Sequence, residues 1–279
     1  MKRRPLHSVL LYTAVLFLAI FTLAPLVWLV LMSISTPTDL TTVPLNWIPS
    51  QIDLSRYAQL LNINDGSGAR FLAALRNSML TAGGATLIAL IVAIPAAYAF
   101  TRRGAPMILL FVFLATIMMP PITYVLPLYQ IFGSFGMLNN TVTLIIVYCA
   151  LLLPFATWLM KANLDVLPIE IEHAAFMEGA STITTLRRVV LPLALPAIAA
   201  TGMLSFLVAW DEFFYALIFT SDMSAKTLPV TIADFAAGRV TDYGVIAAVG
   251  VLATLPPAIL AIAFQRFIVS GLVAGSVKG

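Results

Sequence analysis

Residues 9–32 read VLLYTAVLFLAIFTLAPLVWLVLM, an apolar run that no charged side chain interrupts. A helix needs about 20 such residues to cross the hydrocarbon core of a bilayer. The basic start, MKRRP, resembles that of a secretory signal, whose apolar core is about 7–15 residues long and ends in a small-residue cleavage site. This run is longer, so it is read as a retained first span. Five further stretches meet the same length criterion: 78–101, 106–132, 142–160, 193–220 and 244–264. Of the six, only 193–220, the fifth span in chain order, carries acids, Asp211 and Glu212.

Lipid offers backbone amides no partner, and the alternation of a lipid-facing barrel is absent, so each span is expected to be a helix. The expected class is therefore all-α: a polytopic membrane protein with six transmembrane helices in a single domain over 1–279. Charged residues make up 10% of the chain, against about 25% in soluble domains. A net charge of +3 suits anionic lipid headgroups and gives no sign of nucleic acid. Prolines 25, 95, 120, 121 and 127 lie within apolar surroundings and predict kinks or broken turns. Cys149, also within an apolar run, is read as lipid- or helix-facing filler with no disulfide partner.

Orientation follows from the cations. With the amino terminus in the cytoplasm, the inner segments hold Lys2, Arg3, Arg4, Arg102, Arg103, Lys161, Arg187, Arg188, Arg266 and Lys278. The outer ones hold Arg56, Arg70, Arg76, Lys226 and Arg239, so both termini are expected inside. Two outer segments are long. The first, 33–77, includes a short amphipathic stretch expected to pack on the protein's own outer rim. The second is 221–243.

The segment LPIEIEHAAFMEGASTITTLRRVVLPLALP, residues 167–196, is the anomaly. Pro168 suits a first helical position, and Glu170 and Glu172 favour a helix amino terminus. Gly179 is placed to end that helix in a left-handed turn, and Ser181 to cap the next. Ala174 and Ala175 give a smooth surface for close approach. A helix lying on headgroups would carry Lys and Arg on its polar face. This one carries Glu170, Glu172 and Glu178, which favours docking of another protein over lipid binding.

The spacing His173-Ala174-Ala175, Gly179, Val189, Leu191-Pro192 resembles the EAA loop of permease subunits in ATP-binding-cassette importers. His173 stands where that family usually has Glu, with Glu172 just before it. The stretches MMPPITYVLPLYQIFGSFGMLNN and AWDEFFYALIFT resemble MalG-like subunits of carbohydrate importers, with Asp211 where Asn is usual. The resemblance covers the chain from the first span onward. It implies a type I importer (MetI-like) permease fold in a bacterial inner (plasma) membrane, with 164–192 as the cytoplasmic coupling loop. It also implies partners: a second permease subunit, two cytoplasmic ATPases that bind ATP and Mg, and a periplasmic or lipid-anchored binding protein delivering a carbohydrate. Glu172, His173, Ala174, Ala175, Gly179 and Ala180 are then the candidates for ATPase coupling. The outer segment 221–243 is expected to reach the binding protein.

No phosphate-binding Gly-x4-Gly-Lys-Ser/Thr loop, zinc motif or histidine-based triad is present, only His7 and His173 being available, so no catalytic, cofactor or metal site is expected in this chain. For the substrate, Trp210, Asp211 and Glu212 combine an aromatic face with carboxylates at membrane depth, good chemistry for a sugar. The same acids could instead pair with Arg76 or cap a helix. Asn77, Tyr124 and Gln130 are further candidates, each also suited to hydrogen bonding between helices. A self-sufficient secondary transporter or channel is the alternative, though no internal repeat is visible and the acidic loop would be unexplained. An intramembrane enzyme lacks a nucleophile–base pair or a metal set.

Overall fold

The computed structural model describes residues 5–237 and 242–276. Lys2, Arg3, Arg4, Arg239 and Lys278, used above for orientation, lie outside them. Among the described residues the chain is helical and has no strand. Four helices are long and apolar enough to cross a membrane, at Val9–Ile34, Gly66–Arg102, Thr141–Leu164 and Tyr243–Gln265; a bent pair, Thr182–Leu193 with Leu195–Trp210, makes a fifth.

The chain divides into two compact units. The first comprises residues 1–72 and 231–255. It holds α1 (Pro5–Ile34), α2 (Pro37–Thr41), α3 (Ser55–Leu60) and the start of α4 (Gly66–Arg102). Pro25 lies inside α1 without ending it. Between α2 and α3 the chain winds around Asp39, whose carboxylate accepts hydrogen bonds from Thr36, Asn46 and Ser50. Those donors, Thr36 foremost and then Asn46, hold its carboxyl down to about 2.

The expectation that the first outer segment packs on the protein itself holds for only part of it. Leu60 and Arg56 on α3 are buried, Tyr57 bonds Ser33 at 2.6 Å, and the Arg56 guanidinium donates to the Ser35 carbonyl at 2.5 Å and lies 3.5 Å from Asp242. Val43 (97% exposed), Ile48 and Ile52 instead point outward, and Trp47 packs only its ring against Trp28, 5.0 Å away. The tight Asp39 turn consumes the polar groups of this stretch and leaves its apolar side chains outside.

The second unit comprises residues 73–230 and 256–279. It takes in most of α4, followed by α5 (Met107–Ala115), α6 (Val125–Ser134), α7 (Thr141–Leu164), α8 (Glu170–Met177), α9 (Thr182–Thr185), α10 (Leu191–Leu193), α11 (Leu195–Trp210) and α12 (Phe214–Phe219). Beyond these, α13 (Leu228–Ala236) begins here, and the distal part of α14 (Tyr243–Ser276) belongs here. Cys149 faces neighbouring helix and not lipid: it is buried, with Sγ 3.8 Å from the Ala85 carbonyl.

Two expected spans are not single helices. Residues 106–132 give α5, 3₁₀ turns at Thr116–Met118 and Pro121–Thr123, and then α6. Met119 is extended ahead of Pro120, as a residue before proline prefers, and the paired prolines withhold two amides. Residues 193–220 are broken twice. A bend of 77° separates Thr182–Leu193 from Leu195–Trp210 at Ala194, where Pro196 cannot donate to the carbonyl four residues earlier. A second break at 211–213 separates α11 from α12. The helix expected at 78–101 starts at Gly66 instead.

Candidate functional site

The loop 164–192 folds onto a small apolar floor. Ala97 and Tyr98 of α4, Met160 and Leu164 of α7, Val190, and Ala194 form one buried cluster, with Leu167 and Leu186 packed on it. Beside it lies α8, which meets the cluster through Glu172, bonded to the Tyr98 hydroxyl. Its amino terminus is Glu170 and not Pro168, which stays ahead of the first turn. Its end follows the sequence closely: Gly179 takes φ +81, Ala180 N–H bonds the Ala175 carbonyl and Gly179 N–H that of Phe176. That pair of bonds is the left-handed stop only glycine makes cheaply. Ser181 then caps α9 by accepting from the Thr184 amide, and a π-helical stretch, Leu186–Val190, leads into α10.

Helical spacing sorts the candidate coupling residues by face. Glu172 points inward and is 4% exposed, and Ala175 is partly covered. His173, Ala174, Met177 and Glu178 point outward, Met177 with 88% of its surface free. Gly179 is exposed and Ala180 partly so. Glu172 accepts from Tyr98 Oη at 2.7 Å and from Arg102 Nε at 2.6 Å. The other arm of Arg102 donates to the Leu164 and Leu167 carbonyls, at 3.2 and 2.7 Å. Arg103 donates to the Thr182 hydroxyl and lies over the Phe176 ring, 5.9 Å from its centroid. The sequence reading used Arg102 and Arg103 only as markers of the inner side and left out Tyr98.

The substrate candidates do not gather into one site. Trp210 is 5% exposed, its ring stacked on Phe206 at 5.3 Å, so it presents no free face. Asp211 is exposed at the end of α11. Glu212 carries out the capping alternative: its two carboxylate oxygens accept from the amides of Tyr215 and Ala216, at 2.9 and 3.2 Å, in the first turn of α12. Asn77 is buried, and its side-chain amide donates to the carbonyls of Met223 and Lys226, both at 3.0 Å. Gln130 is exposed on α6.

Tyr124 does meet a neighbour of Glu212, accepting from Tyr215 Oη at 2.6 Å. These two tyrosines edge a cavity of about 410 Å³ between α5, α6, α7 and α12, lined also by Phe113, Met119, Phe132 and Leu151. Tyr148, absent from the sequence reading, reaches the Glu212 carbonyl at 3.4 Å. Outside the spans, Asn139, at φ 56, ties the chain after α12 through the amides of Ser221 and Asp222. Its hydrogen bond, with those of Ser224, holds the Asp222 carboxyl down to about 2.

Comparison with known proteins gives this geometry a family. The chain is 34% identical to the trehalose/maltose transport system permease protein MalG of Thermococcus litoralis, over the whole of both chains. It is 34% identical to the sulfoquinovosyl glycerol transport system permease protein SmoH of Agrobacterium fabrum, over 92% of this chain and 89% of that one. It is 33% identical to the trehalose transport system permease protein SugB of Mycobacterium tuberculosis, over 93% of each. In fold it resembles a chain from the crystal structure of a bacterial ABC transporter involved in the import of the acidic polysaccharide alginate, with a TM-score of 0.77, 22% identity, and coverage of 95% of this chain and 99% of that one. Residues 85–273 match the model of the binding-protein-dependent transport system inner membrane components, and the chain belongs to that family.

Proposed function

We propose that this chain is a permease subunit of a carbohydrate importer, forming half of a pore with a second permease. As a non-catalytic transmembrane subunit of its family it works with separate ATPases and a solute-binding protein. In this reading there are two ATPases, which bind the ATP and Mg and close on the loop helices. The chain crosses the membrane six times, the two broken segments counting once each, with both termini in the cytoplasm.

The observation that carries the substrate class is similarity, over 92% or more of this chain, to relatives named for transport of trehalose/maltose, sulfoquinovosyl glycerol and trehalose. The outward strip of His173, Ala174, Met177 and Glu178 supports docking, since α8 turns Glu172 inward and leaves this strip uncovered. Ala174 lets another surface come close, and Met177 adapts to an irregular one. Trp210 and Asn77 serve packing and loop anchoring in this reading. Asp211 and Tyr124 remain the places for sugar contact, a carboxylate and a phenol suiting hydroxyl-rich ligands; the cavity that Tyr124 and Tyr215 edge is otherwise lined by apolar side chains and Thr116.

The test is purification of the tagged chain from detergent, followed by uptake in vesicles. An ATPase and a second permease are expected to co-purify, and uptake of labelled disaccharide to require ATP and a binding protein. Transport by the chain alone, without any ATPase, would establish a secondary transporter instead.

A further inference from the structure

Glu172 is an anion in a nearly closed environment, and its partners come from far along the chain. A buried carboxylate is costly unless paired and hydrogen-bonded. Here Tyr98 and Arg102 supply both bonds. The Arg102 guanidinium is a flat fork, able to hold a carboxylate on one arm and carbonyls on another; a lysine ammonium cannot reproduce that. It therefore joins three pieces: α4, on which it sits, the last residue of α7 with the turn after it, and α8. Its position in the last turn of α4 also suits the negative end of that helix. Arg103 reaches both sides of the Gly179 break, through Phe176 on α8 and Thr182 on α9.

We propose that Tyr98, Arg102 and Glu172 form a clamp that makes α8 move as one body with the inner ends of α4 and α7, and that Arg103 fixes the angle between α8 and α9. Glu172 is then a positioning residue inside the permease, and the contact with the motor is left to the outward strip. This rests on the importer reading, because a clamp matters to transport only if something outside pulls on α8. Leu167 and Leu186 hold the loop on either side of α8 to the apolar floor; the clamp removes the play that an apolar contact, having no direction, leaves to α8 between them. A displacement imposed at Met177 reaches the spanning helices only when that play is absent.

The experiment uses the assembled importer in proteoliposomes, with ATP hydrolysis and uptake measured together for wild type, Glu172→Gln, Arg102→Lys and Arg103→Ala. Spin labels at Met177→Cys on α8 and Trp158→Cys on α7, in a Cys149→Ala background of the full chain in detergent before ATPase is added, report the tether directly. Uptake, hydrolysis and ATPase retention are read on unlabelled protein. Wild type is expected to give one narrow distance. Glu172→Gln and Arg102→Lys should broaden it and lower uptake per ATP by about tenfold, the factor expected for a lost charge-assisted hydrogen bond at the weak end of its range. The ATPase should stay bound. Arg103 is exposed, so its removal leaves folding intact and should give a smaller broadening.

The clamp is overturned if both conservative variants keep the wild-type distance and coupling. It is equally overturned if Glu172→Gln releases the ATPase with the distance unchanged, since that is the signature of direct contact. A wild-type assembly that transports without ATP sinks the importer reading, while the distance measurement still decides the clamp.

Discussion

Gly179 at φ +81 has open space where a Cβ would be, so a side chain there meets no neighbour and is opposed by backbone conformation alone. An L-residue in that region costs about 1–2 kcal/mol, and a β-branched one more. Gly179→Ala should therefore leave assembly intact and weaken coupling modestly. Gly179→Val should tilt α9 away from α8 and uncouple ATP hydrolysis from uptake, with membrane insertion unchanged. Normal uptake by the valine variant would remove the turn from the coupling path. Asp39 gives a pH test in the other unit. Its carboxyl is held at about 2, below the ordinary 3.8, so its stabilising bonds are fully present above about pH 4 and are lost as pH falls through 2. Trp47 emission in detergent should shift over that window, and Asp39→Asn should abolish the titration; a flat profile for wild type would show that the turn does not depend on this charge. Legibility at this scale was uneven. Gly179 and Ser181 were readable because their roles are local to a few residues. Glu172 was not: Tyr98 and Arg102 lie some seventy positions away, and no spacing rule brings them to it.

Among the elements, the apolar runs announced where helices lie but not where they stop. Hydrophobicity continues through Pro120, Pro121 and Pro196, and it is the missing amides that break the helices there. The break at 211–213 has a different cause. Asp211 and Glu212 interrupt the apolar run, and Glu212 turns its carboxylate onto the free amides that open α12. That is a helix cap at depth, where an unpaired amide would be expensive. Glu212→Ala should lower hydrogen-exchange protection at the Tyr215 and Ala216 amides by about 2- to 30-fold, the range for a lost cap of about 0.5–2 kcal/mol, and should reduce uptake. Glu212→Gln keeps one acceptor oxygen and should be intermediate in both. Should Gln match Ala in uptake while protection stays at the wild-type level, the carboxylate acts on the solute and its capping bonds are incidental.

For the whole molecule, class and family were legible because lipid permits so few backbones, and because the EAA-type spacing extends over too many residues to recur by accident. The substrate candidates were less so. Sequence adjacency suggested one cluster at Trp210, Asp211 and Glu212, but the fold buries the first, exposes the second and spends the third on a cap. The direction of the chain through the membrane is the remaining whole-molecule statement, and two exposed positions decide it. Val43 lies in the first long loop and Met177 on α8. Three crossings separate them if residues 106–132 count as one span, which puts them on opposite sides. The native thiol Cys149 is buried and can be replaced by alanine, leaving a silent background. In intact cells a membrane-impermeant maleimide should then label Val43→Cys at once and Met177→Cys only after permeabilisation. Added ATPase should slow the second reaction and leave the first alone, because the proposed docking strip includes position 177. Labelling of both thiols from the same side would mean that α5 and α6 together form a re-entrant loop, and that α8 faces away from any cytoplasmic motor.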